Sequence, residues 1–104
     1  MLKNQRLQLN HIYEQLLNKL NSENKESLIK AQRGWLQYHT NEIEFAERFI
    51  NFPNEKGSLL GTQGYVNTLI AKKERIRKRT IQLYEYYFLL DEKIEFDYKS
   101  KVSY

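Results

Sequence analysis

Between Leu9 and Leu20, apolar side chains recur at three- and four-residue steps: Leu9, Ile12, Tyr13, Leu16, Leu17 and Leu20. That spacing is the signature of an amphipathic helix with one buried face, and it predicts a first helix from Lys3 to Leu20. Asn21-Ser22-Glu23 then reads as a helix start. The Ser22 side chain is placed to accept from the exposed amides of the next turn, and Glu23 suits the positive helix end. The helix that follows carries two adjoining apolar rows. One is Leu28, Ala31, Trp35, Tyr38, Phe45 and Phe49; the other is Ile29, Leu36, Ile43, Ala46 and Ile50. Together they predict a wide stripe packed on two neighbours, with Trp35 as a core residue.

The only proline, Pro53, and three of the four glycines, Gly57, Gly61 and Gly64, cluster in one stretch and mark a turn. Beyond it Leu59, Val66, Leu69, Ile76, Leu83, Tyr87 and Leu90 follow the helical repeat again, predicting a third helix from Ser58 to Leu89. Gly61 and Gly64 near its start each cost about 1 kcal/mol relative to alanine, which favours close backbone approach to the second helix. The period then changes. Ile94, Phe96, Tyr98, Val102 and Tyr104 alternate with Lys93, Glu95, Asp97, Lys99 and Lys101, a β pattern. A lone strand must find a second strand, so this tail offers pairing between two copies through residues 94–104. The expected architecture is all-α: a three-helix antiparallel bundle over residues 1–90 with an extended C-terminal segment, 91–104.

The chain is 104 residues long and 40% hydrophobic, enough apolar material for one small folded domain. Its lack of cysteine excludes a disulfide scaffold, a thiolate metal site and a cysteine nucleophile. No run approaches the roughly 18 to 20 consecutive apolar residues of a membrane span, and no signal-peptide apolar core precedes Tyr13. As written the chain reads as cytoplasmic; a trimmed mature form would be periplasmic.

Charge changes the picture more. The net charge is +4, and residues 72–79 (Lys72-Lys73-Glu74-Arg75-Ile76-Arg77-Lys78-Arg79) hold six basic side chains against one acidic. Helical geometry turns Arg75, Lys78 and Arg79 away from the apolar row. A helical hairpin turning at Asn54 sets residues 72–79 opposite 30–37, where Lys30 and Arg33 enlarge the patch. Such a surface suits an acidic protein and, with no aromatics among its cations, suits nucleic acid less well.

Catalytic chemistry finds no support. His11 and His39 lack a second ligand at metal-site spacing, so neither a metal nor another cofactor is expected. Glu42, Glu44 and Glu47 fan around one helix instead of facing each other across a substrate. No Ser/His/Asp order or phosphate-binding glycine loop is present. A non-enzymatic protein is expected.

The run Leu28-Ile29-Lys30-Ala31-Gln32-Arg33-Gly34-Trp35-Leu36-Gln37-Tyr38, followed by Asn41-Glu42-Ile43-Glu44-Phe45, resembles the LprI-type lysozyme-inhibitor family, which carries "L-x-x-AQRAW-[LI]-x-YR-x-x-E-C-x-F". Upstream, Leu9-Asn10-His11-Ile12-Tyr13-Glu14-Gln15-Leu16-Leu17 resembles that family's "LN-x-x-Y-x-x-LL" opening. Downstream, Gly57-Ser58 and Tyr65 through Arg75 resemble its glycine turn and following helix. The likeness runs from Leu7 to about Leu83. Here Tyr38-His39 stands for the family's "YR", and the positions matching its two cysteines fall at Ile43 and Asn67, so the disulfide implied for the family is missing.

The resemblance implies a non-catalytic inhibitor that occludes a lysozyme-like wall hydrolase. Lysozymes of the animal type are basic, so a protein of this net charge needs a separate acidic or apolar contact surface. Glu42, Glu44 and the Gly57–Gly64 turn are the candidates. The alternative is an intracellular adaptor or antidote protein holding an acidic partner through Arg33, Arg75, Lys78 and Arg79, with weak nucleic-acid binding third.

Overall fold

A computed structural model describes residues 2–50, 53–54, 57–58 and 61–91. Three helices account for nearly all of them: α1 (Leu2–Lys19), α2 (Ser22–Ile50) and α3 (Gly61–Asp91). The all-α, three-helix expectation holds. The turn adds a detail that periodicity could not supply: β1 (Pro53–Asn54) pairs antiparallel with β2 (Gly57–Ser58), Pro53 opposite Ser58 and Asn54 opposite Gly57. Both Gly61 and Gly64 lie within α3, which begins three residues later than the apolar repeat suggested. The alternating tail from 92 onward, with its proposed pairing through 94–104, lies outside the described residues.

The start of α2 is capped by a different residue from the one expected. Asn21, not Ser22, supplies the oxygen: its Oδ1 accepts from the Asn24 amide at 2.8 Å, and its carbonyl accepts from the Lys25 amide at 2.8 Å. Asn ranks with Ser as a cap, and beginning the helix one residue earlier puts Asn21 in that position.

The chain divides into two compact units, one joining α1 to the part of α3 from Ile76 onward, the other running from Glu26 to Arg75. In the first, Leu9, Ile12 and Leu16 of α1 and Ile76 and Leu83 of α3 are buried, Leu83 completely. Burying each such side chain stabilises by roughly 1.5–3 kcal/mol. Lys19, in the last turn of α1, sets its Nζ 4.3 Å from the centre of the Tyr87 ring, while Tyr13 is an electrostatic neighbour of Arg79. The two segments therefore run in the same direction.

The second unit packs differently. Its inner α2 face is Leu28, Gln32, Trp35, His39, Ile43 and Ala46, all buried or half-buried. The spacing is helical, but two members are polar. The expected apolar row is thereby corrected: Tyr38, Phe45 and Phe49 are exposed, as are Ala31 and Leu36. Trp35 is half-buried and stacks on His39, with ring centroids 4.8 Å apart and planes at 10°.

Candidate functional site

The cations of residues 72–79 do not form the single outward patch that helical geometry suggested. Arg75 is half-buried and its Nε donates to His39 Nδ1 at 3.0 Å. As the acceptor, that nitrogen carries no proton, so the imidazole joins the bond in its neutral form. Arg75 meets His39 instead of Arg33; the β1–β2 pairing centres the turn between Asn54 and Gly57, later than Asn54, which accounts for part of that shift.

Arg79 departs furthest from expectation. It is only 8% exposed and its Nη1 donates to Gln82 Oε1 at 2.6 Å. Desolvation by burial lowers its pKa below the ordinary guanidinium range, opposed by the electrostatic influence of Tyr86 and then Tyr13; the guanidinium stays charged at neutral pH. On the helical wheel Arg79 flanks the Ile76–Leu83 seam, and its long stem follows that seam into the interior. Lys78 alone of the three is exposed, as is Arg33 on α2.

The acidic candidates are exposed but do not act as one group. Glu42 and Glu44 lie about 200° apart at ~100° per residue, so they face opposite sides of α2. Glu44 is engaged by Arg48, Nε to Oε1 at 3.5 Å, an exposed i,i+4 pair of the kind worth little to stability. Among the described residues Glu42 has no ion-pair partner.

Glu42 lies within a feature the sequence pattern concealed. Tyr38, Glu42, Phe45 and Phe49 follow one another at steps of four, three and four residues along one side of α2. Tyr38 is 52% exposed and Phe45 61%. Phe45 and Phe49 stack with centroids 5.5 Å apart and planes at 23°. Counting Gln32 and His39 as interior would have exposed this stripe, because they fix the inner face about a quarter-turn away.

A cavity of about 210 Å³ opens between α2 and the first half of α3. Ile43, Ala46 and Leu69 supply its apolar lining, and Glu47, Tyr65, Thr68, Lys72 and Arg75 its polar one. Ile43 is the first of the two positions matching the family's cysteines. Thr68 shares its cavity, whereas Asn67 is exposed and accepts a 2.9 Å bond from Gln63 Nε2. Ile43 and Thr68 therefore line one cavity, whereas Asn67 is not among its lining residues.

Among the described residues no group of three or more histidine, aspartate or glutamate side chains could hold a metal ion, and no helix is long and apolar enough to cross a membrane. The fold and surface define a helical, cysteine-free domain whose candidate chemistry is recognition through exposed side chains. The family model described as Lysozyme inhibitor LprI matches residues 1–83, and the chain belongs to that family. No curated protein and no solved structure gives a significant match.

Proposed function

We propose that the protein is a non-catalytic inhibitor that binds a lysozyme-like wall hydrolase and occludes its cleft. The family match over residues 1–83 carries this reading. The exposed carboxylate of Glu42, which has no ion-pair partner among the described residues, supports it, since it gives a +4 chain a local acidic point of contact. At physiological ionic strength, interactions beyond about 8 Å are largely screened, so the groups at the contact outweigh net charge. The reading through a basic patch is weaker: of its four cations Arg79 is buried and Arg75 is turned onto His39, leaving Arg33 and Lys78.

Titration against a basic animal-type lysozyme and against a bacterial wall hydrolase, following lysis of a cell-wall suspension, tests the proposal. A linear loss of rate that ends at a 1:1 ratio is expected for at least one of them. Undiminished rates for both at tenfold excess would remove the inhibitor reading.

A further inference from the structure

Occlusion of a hydrolase leaves open which face makes the contact and what it grips. We infer that the Tyr38–Glu42–Phe45–Phe49 stripe of α2 is the docking face, and that it takes arginine or lysine side chains of a basic partner protein. This inference rests on the inhibitor reading above and specifies its surface.

The stripe runs over twelve residues, eleven rises of about 1.5 Å or about 16 Å in all, a length suited to the centre of a standard interface. Its three aromatic rings stay in solvent although the helix has a separate inner face, Leu28 to Ala46, that is buried or half-buried. Large aromatics exposed in a row mark contact surfaces more often than scattered single ones do. Phe45 and Phe49 stack on each other, a contact that restricts both side chains and reduces the entropy docking onto them costs.

The carboxylate decides the chemistry of the occupant. Glu42 stands between Tyr38 and Phe45 with no cation beside it among the described residues, whereas Glu44, on the other side of the helix, is answered by Arg48. A hydrophobic partner would bury the Glu42 charge uncompensated, at a cost. A guanidinium or ammonium instead satisfies both components, lying over a ring face while donating to the carboxylate. Residues 38–50 hold three glutamates against one arginine, so the local field attracts cations even though the whole chain is basic.

The experiment uses the full chain and a basic animal-type lysozyme, with affinity measured by calorimetry and inhibition by lysis rate. The double variant Phe45→Ser/Phe49→Ser is expected to bind about 100-fold more weakly and Glu42→Gln about 5- to 10-fold, as for residues at the centre of an interface. Leu36→Ser, an exposed apolar change on a different side of α2, serves as the control and leaves affinity unchanged. All four positions are solvent-facing, and circular dichroism and Tm confirm that the variants fold. Succinylated lysozyme, whose lysines become carboxylates, is expected to bind wild type at least tenfold more weakly. If wild type inhibits and the phenylalanine variant inhibits equally well, the stripe is not the docking face and the inhibitor reading stands. Loss of affinity in the phenylalanine variant with none in Glu42→Gln overturns the cationic occupant; where Glu42→Gln does weaken binding, affinity kept on succinylation assigns the occupant to arginine. If wild type fails to bind this lysozyme, the inference falls, and the inhibitor reading falls with it only if lysis by a bacterial wall hydrolase is undiminished as well.

Discussion

The two units solve the same packing problem with different chemistry. The unit built on α1 and the later half of α3 buries aliphatic side chains, Leu9, Ile12, Leu16, Ile76 and Leu83, at the spacing that the sequence advertises. The unit from Glu26 to Arg75 turns Gln32 and His39 inward beside Leu28 and Trp35, and anchors Arg75 on the imidazole. An aliphatic seam derives its stability from area removed from water. A polar inner face needs every donor and acceptor answered, because an unanswered group costs more than a made bond returns. The second unit therefore gains geometric specificity, holding Arg75 in one place, and depends on fewer, more directional contacts. It also carries the exposed aromatic stripe, so its surface offers more for recognition than its interior offers for stability.

Cavity-forming substitutions probe this contrast most strongly. Leu83→Ala in the first unit is expected to cost about 3–4 kcal/mol, and Leu28→Ala in the second about 2–3, by urea unfolding. Equal costs would mean that the polar face packs as completely as the aliphatic one. A covalent tie across the second unit should move it in the other direction. Ile43→Cys with Thr68→Cys closes a loop of some 25 residues, and under oxidation should add about 3 kcal/mol, read as a Tm difference with and without reductant. Ile43→Cys with Asn67→Cys should show no such difference, since Asn67 points elsewhere.

Next come the polar contacts. His39→Ala removes both the stack on Trp35 and the acceptor for Arg75, at about 2 kcal/mol; His39→Phe keeps a ring and loses only the acceptor, at about 1 kcal/mol. A His39→Phe protein more stable than wild type would show that the Arg75 bond is not stabilising. In the first unit, Arg79→Ala should cost about 1–2 kcal/mol through lost stem packing and a stranded Gln82. The neighbouring Lys78→Ala should stay within about 0.5 kcal/mol. The smallest effect is a gain. A Cβ added at Gly34 meets nothing within 4 Å, so Gly34→Ala, which restores the family's alanine, should stabilise by about 0.5–1 kcal/mol, visible as a rise in Tm.

Much of the fold was legible residue by residue. The seam of α1 was read from Leu9, Ile12 and Leu16, that of α3 from Ile76 and Leu83, and the turn from Pro53 and Gly57. The inner face of α2 was misread because Gln32 and His39 count as polar in any periodicity, and Tyr38, Phe45 and Phe49 filled the spacing they left. The same error hid the aromatic stripe. Of the candidate site, Glu42, Glu44 and Lys78 face solvent as their positions on the helices suggest, and Arg33 is exposed as well. Arg79 was not, because a side chain with a long apolar stem beside a seam can run inward or outward without any change in sequence pattern.

Periodicity and breakers were sufficient to determine three helices and their order, because these depend on local backbone preference and on which residues avoid water, while the family was legible only as the likeness of a short motif. Which polar residues turn inward, that Arg75 meets His39, that Thr68 and Ile43 line one cavity, and that Glu42 stands among exposed rings were decided only by tertiary structure. A helix rotated by one residue changes every neighbour while leaving its amphipathic pattern nearly intact, and only packing against another surface fixes that rotation.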